Sequence, residues 1–293
     1  MTTTTTTTRP VKTLLVPLDG SALADAILPH VERFLADGPC DVLLLRVLPP
    51  ADAAEEVPGQ AQLERDAMQA HLDTTRARLE ALGARVTTIV REGDPAAEIL
   101  FAIDQHSPSL VAMSSHGRSG VLRWIRGSVA ERVLRSCATP MLLVTPRADE
   151  GGVEQRFRRI LVPLDGGERS ATILPAVTDL ARRHDAEVLL LRVEQEGLSR
   201  PMLAVALNPA KVVESLRPWM ERLASDGVRC RALAAQGDSA SEILDAAERE
   251  GADLIAMTTH GRTGLSRLVD GSVSERVLRH CRRPLLVVHA EAS

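Results

Sequence analysis

Apolar positions along the chain follow two alternating rhythms. Residues 12–18 form a short apolar run closed by Asp19-Gly20, the pattern of a buried strand entering a turn. Residues 21–36 then place Leu23, Ile27, Val31 and Leu35 at helical spacing, which predicts one helix. The alternation continues with a strand over 41–47, a long amphipathic helix over 60–82 and a strand over 84–90. A helix over 95–105 opens on Pro95, at a position that tolerates a missing N–H. A strand over 109–114, a loop, a helix over 128–136 and a strand over 140–144 complete the unit. Strands alternating with helices, with near-continuous apolar strands, predict an α/β fold built on a mostly parallel sheet with helices on both faces. In such sheets ligands bind at the carboxyl ends of the strands.

The pattern occurs twice. Leu15-Val16-Pro17-Leu18-Asp19-Gly20 returns as Leu161-Val162-Pro163-Leu164-Asp165-Gly166, and Leu44-Leu45-Arg46-Val47 as Leu190-Leu191-Arg192-Val193, both displaced by 146 residues. Gly93-Asp94, His116-Gly117-Arg118 and Gly127-Ser128-Val129 return 144 residues later as Gly237-Asp238, His260-Gly261-Arg262 and Gly271-Ser272-Val273. The two-residue slip falls between 48 and 92, where a connection absorbs it. A period this long marks duplicated domains, expected over 9–146 and 157–290, with a linker at 147–156. Residues 1–8, Met1 and seven Thr, lack the apolar stretch of a signal peptide and are expected to be a disordered tail.

Composition narrows the function classes. A net charge of −4 gives no electrostatic footprint for nucleic acid, and 2% aromatic residues leave no base-stacking platform. No apolar run approaches the roughly 18 residues of a membrane span, so a cytoplasmic protein is expected. Cys40, Cys137, Cys230 and Cys281 show no metal-site spacing and read as reduced core thiols.

The informative loop follows the fourth strand. It reads Ser114-Ser115-His116-Gly117-Arg118-Ser119-Gly120, then six residues, then Gly127-Ser128-Val129-Ala130-Glu131. Its twin runs from Thr258-Thr259-His260-Gly261 to Gly271-Ser272-Val273-Ser274-Glu275. Glycine lets backbone approach a ligand closely. Ser-x-x-Glu is a helix-capping pattern, and a helix N-terminus favours phosphate. A plain loop before a capped helix accounts for the same residues, and duplication copies plain loops as well. Asp19 has two readings: a ribose-binding carboxylate at a strand end, or a turn-maker with Gly20.

Several other motifs carry no chemistry. Gly237-Asp238-Ser239 resembles a hydrolase nucleophile block, but its twin Gly93-Asp94-Pro95 has no hydroxyl, and a helix start accounts for both. No Gly-x-Gly-x-x-Gly follows the first strand, and neither lysine, Lys12 or Lys211, follows a glycine-rich loop. His116 and His260 read as loop-ordering residues, because no partner constellation accompanies them.

Both halves resemble universal stress protein domains. The resemblance rests on the Val-Pro-Leu-Asp-Gly opening, the Leu-Leu-Arg-Val second strand, and the segments His116–Val144 and His260–Val288. It implies two tandem Rossmann-like or flavodoxin-like domains, each with five strands in the order 3-2-1-4-5. It also implies pairing of the domains through their fifth strands, so that the chain is a monomer or a homodimer of such pairs, and a role in stress tolerance. The family's ATP-binding branch carries glycine, two residues, glycine, nine residues, then Gly-Ser or Gly-Thr. Gly117 with Gly127-Ser128 and Gly261 with Gly271-Ser272 fit the later part, while Ser114 and Thr258 replace the first glycine. A side chain there crowds a ribose or phosphate, and Thr258 tolerates a positive φ poorly, although either hydroxyl can also bond the ligand. The resemblance further implies that Val47 and Val193 meet the adenine edge, with Pro17, Asp19, Pro163 and Asp165 beside the adenosine.

Three functions follow as expectations. The first is a sensor or regulator that binds adenine nucleotide (ATP, ADP or AMP) in at least one domain, with Mg²⁺ held through the phosphates. The second is a nucleotide-free structural or partner-binding module, favoured by the replaced glycine. The third is slow ATP hydrolysis, for which the sequence offers no evident base.

Overall fold

In the computed structural model, residues 13–35, 38, 40–48, 60–115, 129–145, 156–194, 208–260 and 273–290 are described. The chain divides into two units, joined between Gln155 and Arg156.

The first unit contains β1 (Thr13–Pro17), α1 (Ala22–Asp25), α2 (Leu28–Leu35), β2 (Asp41–Leu48) and α3 (Gln60–Glu80), then β3 (Arg85–Glu92), α4 (Pro95–His106), β4 (Leu110–Ser114), α5 (Val129–Ser136) and β5 (Met141–Val144). Its strands lie in the order β3-β2-β1-β4-β5. The pairings β1 with β2, β1 with β4, β2 with β3 and β4 with β5 are all parallel.

The second unit repeats this plan with β6 (Arg159–Pro163), α6 (Glu168–Ala171), α7 (Leu174–His184), β7 (Glu187–Glu194) and α8 (Pro209–Ser225), then β8 (Cys230–Gln236), α9 (Ser239–Arg249), β9 (Leu254–His260), α10 (Val273–His280) and β10 (Leu285–Ala290). The order is β8-β7-β6-β9-β10, again with parallel pairings. The strand order implied by the resemblance is therefore present in both units.

Burial explains the apolar strands. Leu14, Leu15 and Val16 of β1, Val111 and Ala112 of β4 and Leu142 of β5 are 0% exposed, as are Ile160, Leu161 and Val162 of β6. Helices cover both faces, so side chains pointing either way enter a core. Cys40, Cys137 and Cys281 are buried free thiols, and Cys230 is a partly buried one.

The single helix expected over 21–36 is in fact two, α1 and α2. Pro29 is the cause. It has no N–H to give to a preceding turn, and its ring disfavours helical backbone at Leu28, so it is accommodated only at the start of a fresh helix. Pro175 divides α6 from α7 in the same way.

Helix α2 buries an ionisable group. His30 is 4% exposed beside the buried Arg33, and burial, with the nearby guanidinium, pushes its imidazole down to about 4. The unfolded chain takes up this proton near 6.5, while the folded chain refuses it until about 4. Stability held above pH 6.5 is thus lost as pH falls towards 4. The lowering corresponds to about 3 kcal/mol. Urea titrations at pH 7, 5.5 and 4 should show His30→Leu losing less stability than wild type over this range, by an amount of that order.

Candidate functional site

The strand order reverses at β1 in the first unit, where β2 lies on one side and β4 on the other. In an open parallel sheet such a reversal is where ligands generally bind, beyond the carboxyl ends of the strands. Pro17 closes β1, paired with Leu45, and Leu18 N–H donates to Leu45 O at 2.9 Å. Asp19 follows directly. Ser114 ends β4 opposite Val144 and is 7% exposed. Val47 lies near the end of β2 opposite Arg91, half-buried. Helix α5 starts at Val129 and packs on α4.

In the second unit Pro163 pairs with Leu191, Val193 with Ala235, and Thr258 with Val288. Asp165 lies beyond β6, and α10 starts at Val273. The backbone of His260 ends β9 opposite Ala290. The structure thus brings Pro17, Asp19, Val47 and Ser114, with their counterparts, to one sheet edge in each unit. His116, Gly117, Gly127, Ser128, Gly261, Gly271 and Ser272 lie outside the described residues.

The aspartates are turn-makers here. Asp19 Oδ1 accepts from the N–H of Ser21 at 2.9 Å and from its hydroxyl at 2.6 Å, and Ser21 Oγ caps α1 by accepting from Ala24 N–H. Asp165 Oδ1 accepts from Gly167 N–H at 2.8 Å and Ser170 Oγ at 2.5 Å. The turns fix each carboxylate through one oxygen, at the strand end where a ribose-binding carboxylate belongs.

The worry about backbone conformation at the replaced glycine does not hold. Ser114 and Thr258 lie in strands, and the described non-glycine residues with positive φ are Ser107 and Asp185. Thr258 is β-branched in a strand, where branching is comfortable. Only its bulk bears on a ligand.

The Gly-Asp motifs start helices. Asp94 caps α4 by accepting from Ala97 N–H at 2.9 Å, and Asp238 caps α9 by accepting from Ser241 N–H at 3.0 Å. Their second oxygens accept from the neighbouring helix: Asp94 from Arg132 of α5 at 2.8 Å, and Asp238 from Arg276 of α10 at 2.6 Å. Arg132 and Arg276 went unnoticed in the sequence, although their recurrence at the 144-residue offset was visible. Arg46 and Arg192 were quoted in the repeat without a role. Arg46 is 6% exposed, with Nη1 at 3.4 Å from Leu18 O.

Among the described residues, no three His, Cys, Asp or Glu gather to hold a metal ion, and no helix is long and apolar enough to cross a membrane.

Two parallel, doubly covered α/β units, each reversing its strand order at its first strand, define a tandem Rossmann-like protein. The chain belongs to the universal stress protein family, whose sequence model matches residues 10–145 and 156–289. A universal stress protein of Methanocaldococcus jannaschii is 32% identical over 142 residues, covering 46% of this chain and 84% of its own. One from Mycolicibacterium smegmatis is 25% identical, with 94% of this chain and 96% of its own covered. The crystal structure of a universal stress protein from Archaeoglobus fulgidus matches 96% of this chain and 97% of its own, with a TM-score of 0.75 at 21% identity.

The helix-to-helix pair Asp238–Arg276 yields a pH test. Hydrogen bonds from Arg276 and then Ser241 hold the Asp238 carboxyl down to about 2. A carboxylate lowered in the folded state contributes stability above about pH 4, which fades as pH falls towards 2. Both partners are about half exposed, so the effect is small and weakened by salt. Thermal unfolding between pH 5 and 2 at low salt should show Asp238→Asn flattening this part of the profile.

Proposed function

We propose that the chain binds adenine nucleotide, with ATP as the principal ligand, in at least one of its two domains, and acts as a nucleotide-dependent sensor or regulator. The observation that carries this reading is the twofold occurrence of one arrangement. At each reversal of strand order, an aspartate-bearing turn stands on one side and a helix start on the other. Carboxylate and helix N-terminus match the two ends of a nucleotide: ribose hydroxyls on one, phosphates on the other.

The residues fit the ligand. Asp19 is held by a turn at the end of β1, and Val47 offers half-buried apolar surface nearby on β2 for the base. Gly127-Ser128-Val129 would present backbone N–H groups and one hydroxyl to the phosphates, and Gly271-Ser272-Val273 the same in the second domain. Mg²⁺ would be held through the phosphates. A nucleotide seated there would change the surface that the domain offers to a protein partner.

A second reading, a nucleotide-free partner-binding module, is favoured by the side chains of Ser114 and Thr258 at the position of the signature's first glycine. Mass spectrometry of gently purified protein separates the two: co-purified ATP, ADP or AMP supports binding. Calorimetric titration of ATP should give a saturable isotherm for wild type. Ser128→Ala removes one hydrogen bond to a charged phosphate, about 1.5–3 kcal/mol, and should weaken binding roughly tenfold or more. Gly127→Val should weaken it further by blocking the approach. Equal affinity of wild type and Gly127→Val excludes the first domain as the site. No binding by wild type at millimolar ATP favours the nucleotide-free module.

A further inference from the structure

The turn that carries each aspartate rests on an arginine from the neighbouring strand. Arg46 stands on β2 just beyond the rung that ties Leu18 N–H to Leu45 O. Its guanidinium lies directly against Gly20, whose φ is +74°: a Cβ placed on Gly20 would come within 2.8 Å of Arg46 Nη1. The second unit builds the same contact independently. Gly166 has φ +86°, and a Cβ there would lie 2.0 Å from Arg192 Nη1 and 3.1 Å from Cζ. Glycine is required at both places for two separate reasons, the left-handed backbone and the lack of room.

The two guanidiniums differ in their individual polar contacts at two points. Arg46 Nη1 lies 3.4 Å from Leu18 O, whereas Arg192 Nε donates to Glu194 Oε1 at 2.9 Å. The counterpart of Glu194 is Leu48, whose side chain cannot accept a hydrogen bond. What the two copies have in common is the planar cation packed against the glycine that follows the aspartate. Burying a guanidinium is costly unless it is well held, and an aliphatic side chain would fill the same space without that cost. A rigid, planar, charged group under the turn instead fixes where the preceding carboxylate stands.

We infer that Arg46 and Arg192 are positioning residues for the ligand: through Gly20 and Gly166 they set the Asp19 and Asp165 carboxylates at the strand ends, and with them recognition of the ribose hydroxyls. The inference rests on the adenine-nucleotide reading for its ligand, but its structural half does not.

The test uses the full chain with Arg46→Leu, which keeps an apolar filler, and Arg192→Leu as the independent arm. Amide hydrogen exchange without ligand is read first. Arg46→Leu should accelerate exchange at Ser21 and Ala24, the amides bonded to Asp19 and to Ser21 Oγ, and Arg192→Leu at Gly167. Unchanged exchange at all three overturns the positioning role, whether or not nucleotide binds. Affinities for ATP and 2′,3′-dideoxy-ATP are then compared. Wild type should prefer ATP by about tenfold, the value of roughly one hydrogen bond to a charged group. Arg46→Leu should lose most of that preference, as Asp19→Asn does, and the double variant should lose no more than either. A merely structural arginine would lower stability and leave the ratio intact, so an unchanged ratio in both Arg46→Leu and Arg192→Leu overturns the inference. Absence of ATP binding in wild type defeats the nucleotide reading and the ligand half of the inference together, and the exchange measurement still decides the positioning half.

Discussion

Burial of the sheet on both faces governs where chemistry can stand in this protein. The interiors of β1, β4 and β5, and of β6 in the second unit, are apolar, because helices cover them above and below. A polar group within such a strand would meet hydrocarbon in either direction. Polar function is therefore displaced to the strand ends. At the carboxyl ends the chain also turns into helices, whose first N–H groups lack intrahelical partners. One constraint thus brings an aspartate turn and a helix start to the same edge, and the reversal of strand order leaves space between them.

Several polar contacts kept in both copies lie at that same edge. The turn aspartates, the arginines against Gly20 and Gly166, and the cap aspartates that reach α5 and α10 all lie where strands give way to helices. Other shared pairs stand elsewhere, Asp41–Arg85 and Glu187–Arg231 at the amino ends of the strands and Glu131–Arg135 and Glu275–Arg279 along α5 and α10, while some contacts are not shared. The ion pair between His71 and Asp25, for example, has no counterpart in the second unit, where Ala171 matches Asp25. Half-exposed ion pairs such as Asp94–Arg132 contribute little to stability. The turn and cap aspartates differ from those pairs in standing where each strand passes into a helix.

Much of the architecture was legible because periodicity and duplication speak together. The strand runs ending in Asp19-Gly20 and Asp165-Gly166, and the helix starts at Asp94 and Asp238, stand where the sequence places them. The division of the first helix was hidden. The spacing of Leu23, Ile27, Val31 and Leu35 satisfies one helix, and only the demands of Pro29 on its predecessor show otherwise. Arg46 was hidden for another reason. A charged residue in an apolar strand is visible, but its contact with Gly20 depends on sheet neighbours 26 residues apart (46 − 20) and on a rung of register. Arg132 escaped similarly, since its partner Asp94 lies across the β4 crossover.

The replaced glycine shows how structure changes a chemical argument without removing it. Had the position needed a positive φ, Thr258 would be strained whatever the ligand. In a strand that objection falls, and size alone remains. Successive strand residues point to opposite faces. Ser115 and Thr259 use their hydroxyls across the strand ends, on Thr145 at 3.3 Å and on His289 Nδ1 at 3.0 Å. Ser114 and Thr258 therefore face the other side of the sheet. Between these two the difference is one methyl group, present in the second domain and absent in the first. A hydroxyl can exchange one partner for another, whereas a methyl group can only occupy space or move. Steric cost at this position thus falls more heavily on the second domain. Two domains of one fold and one edge chemistry would then fill unequally, with the first as the better seat.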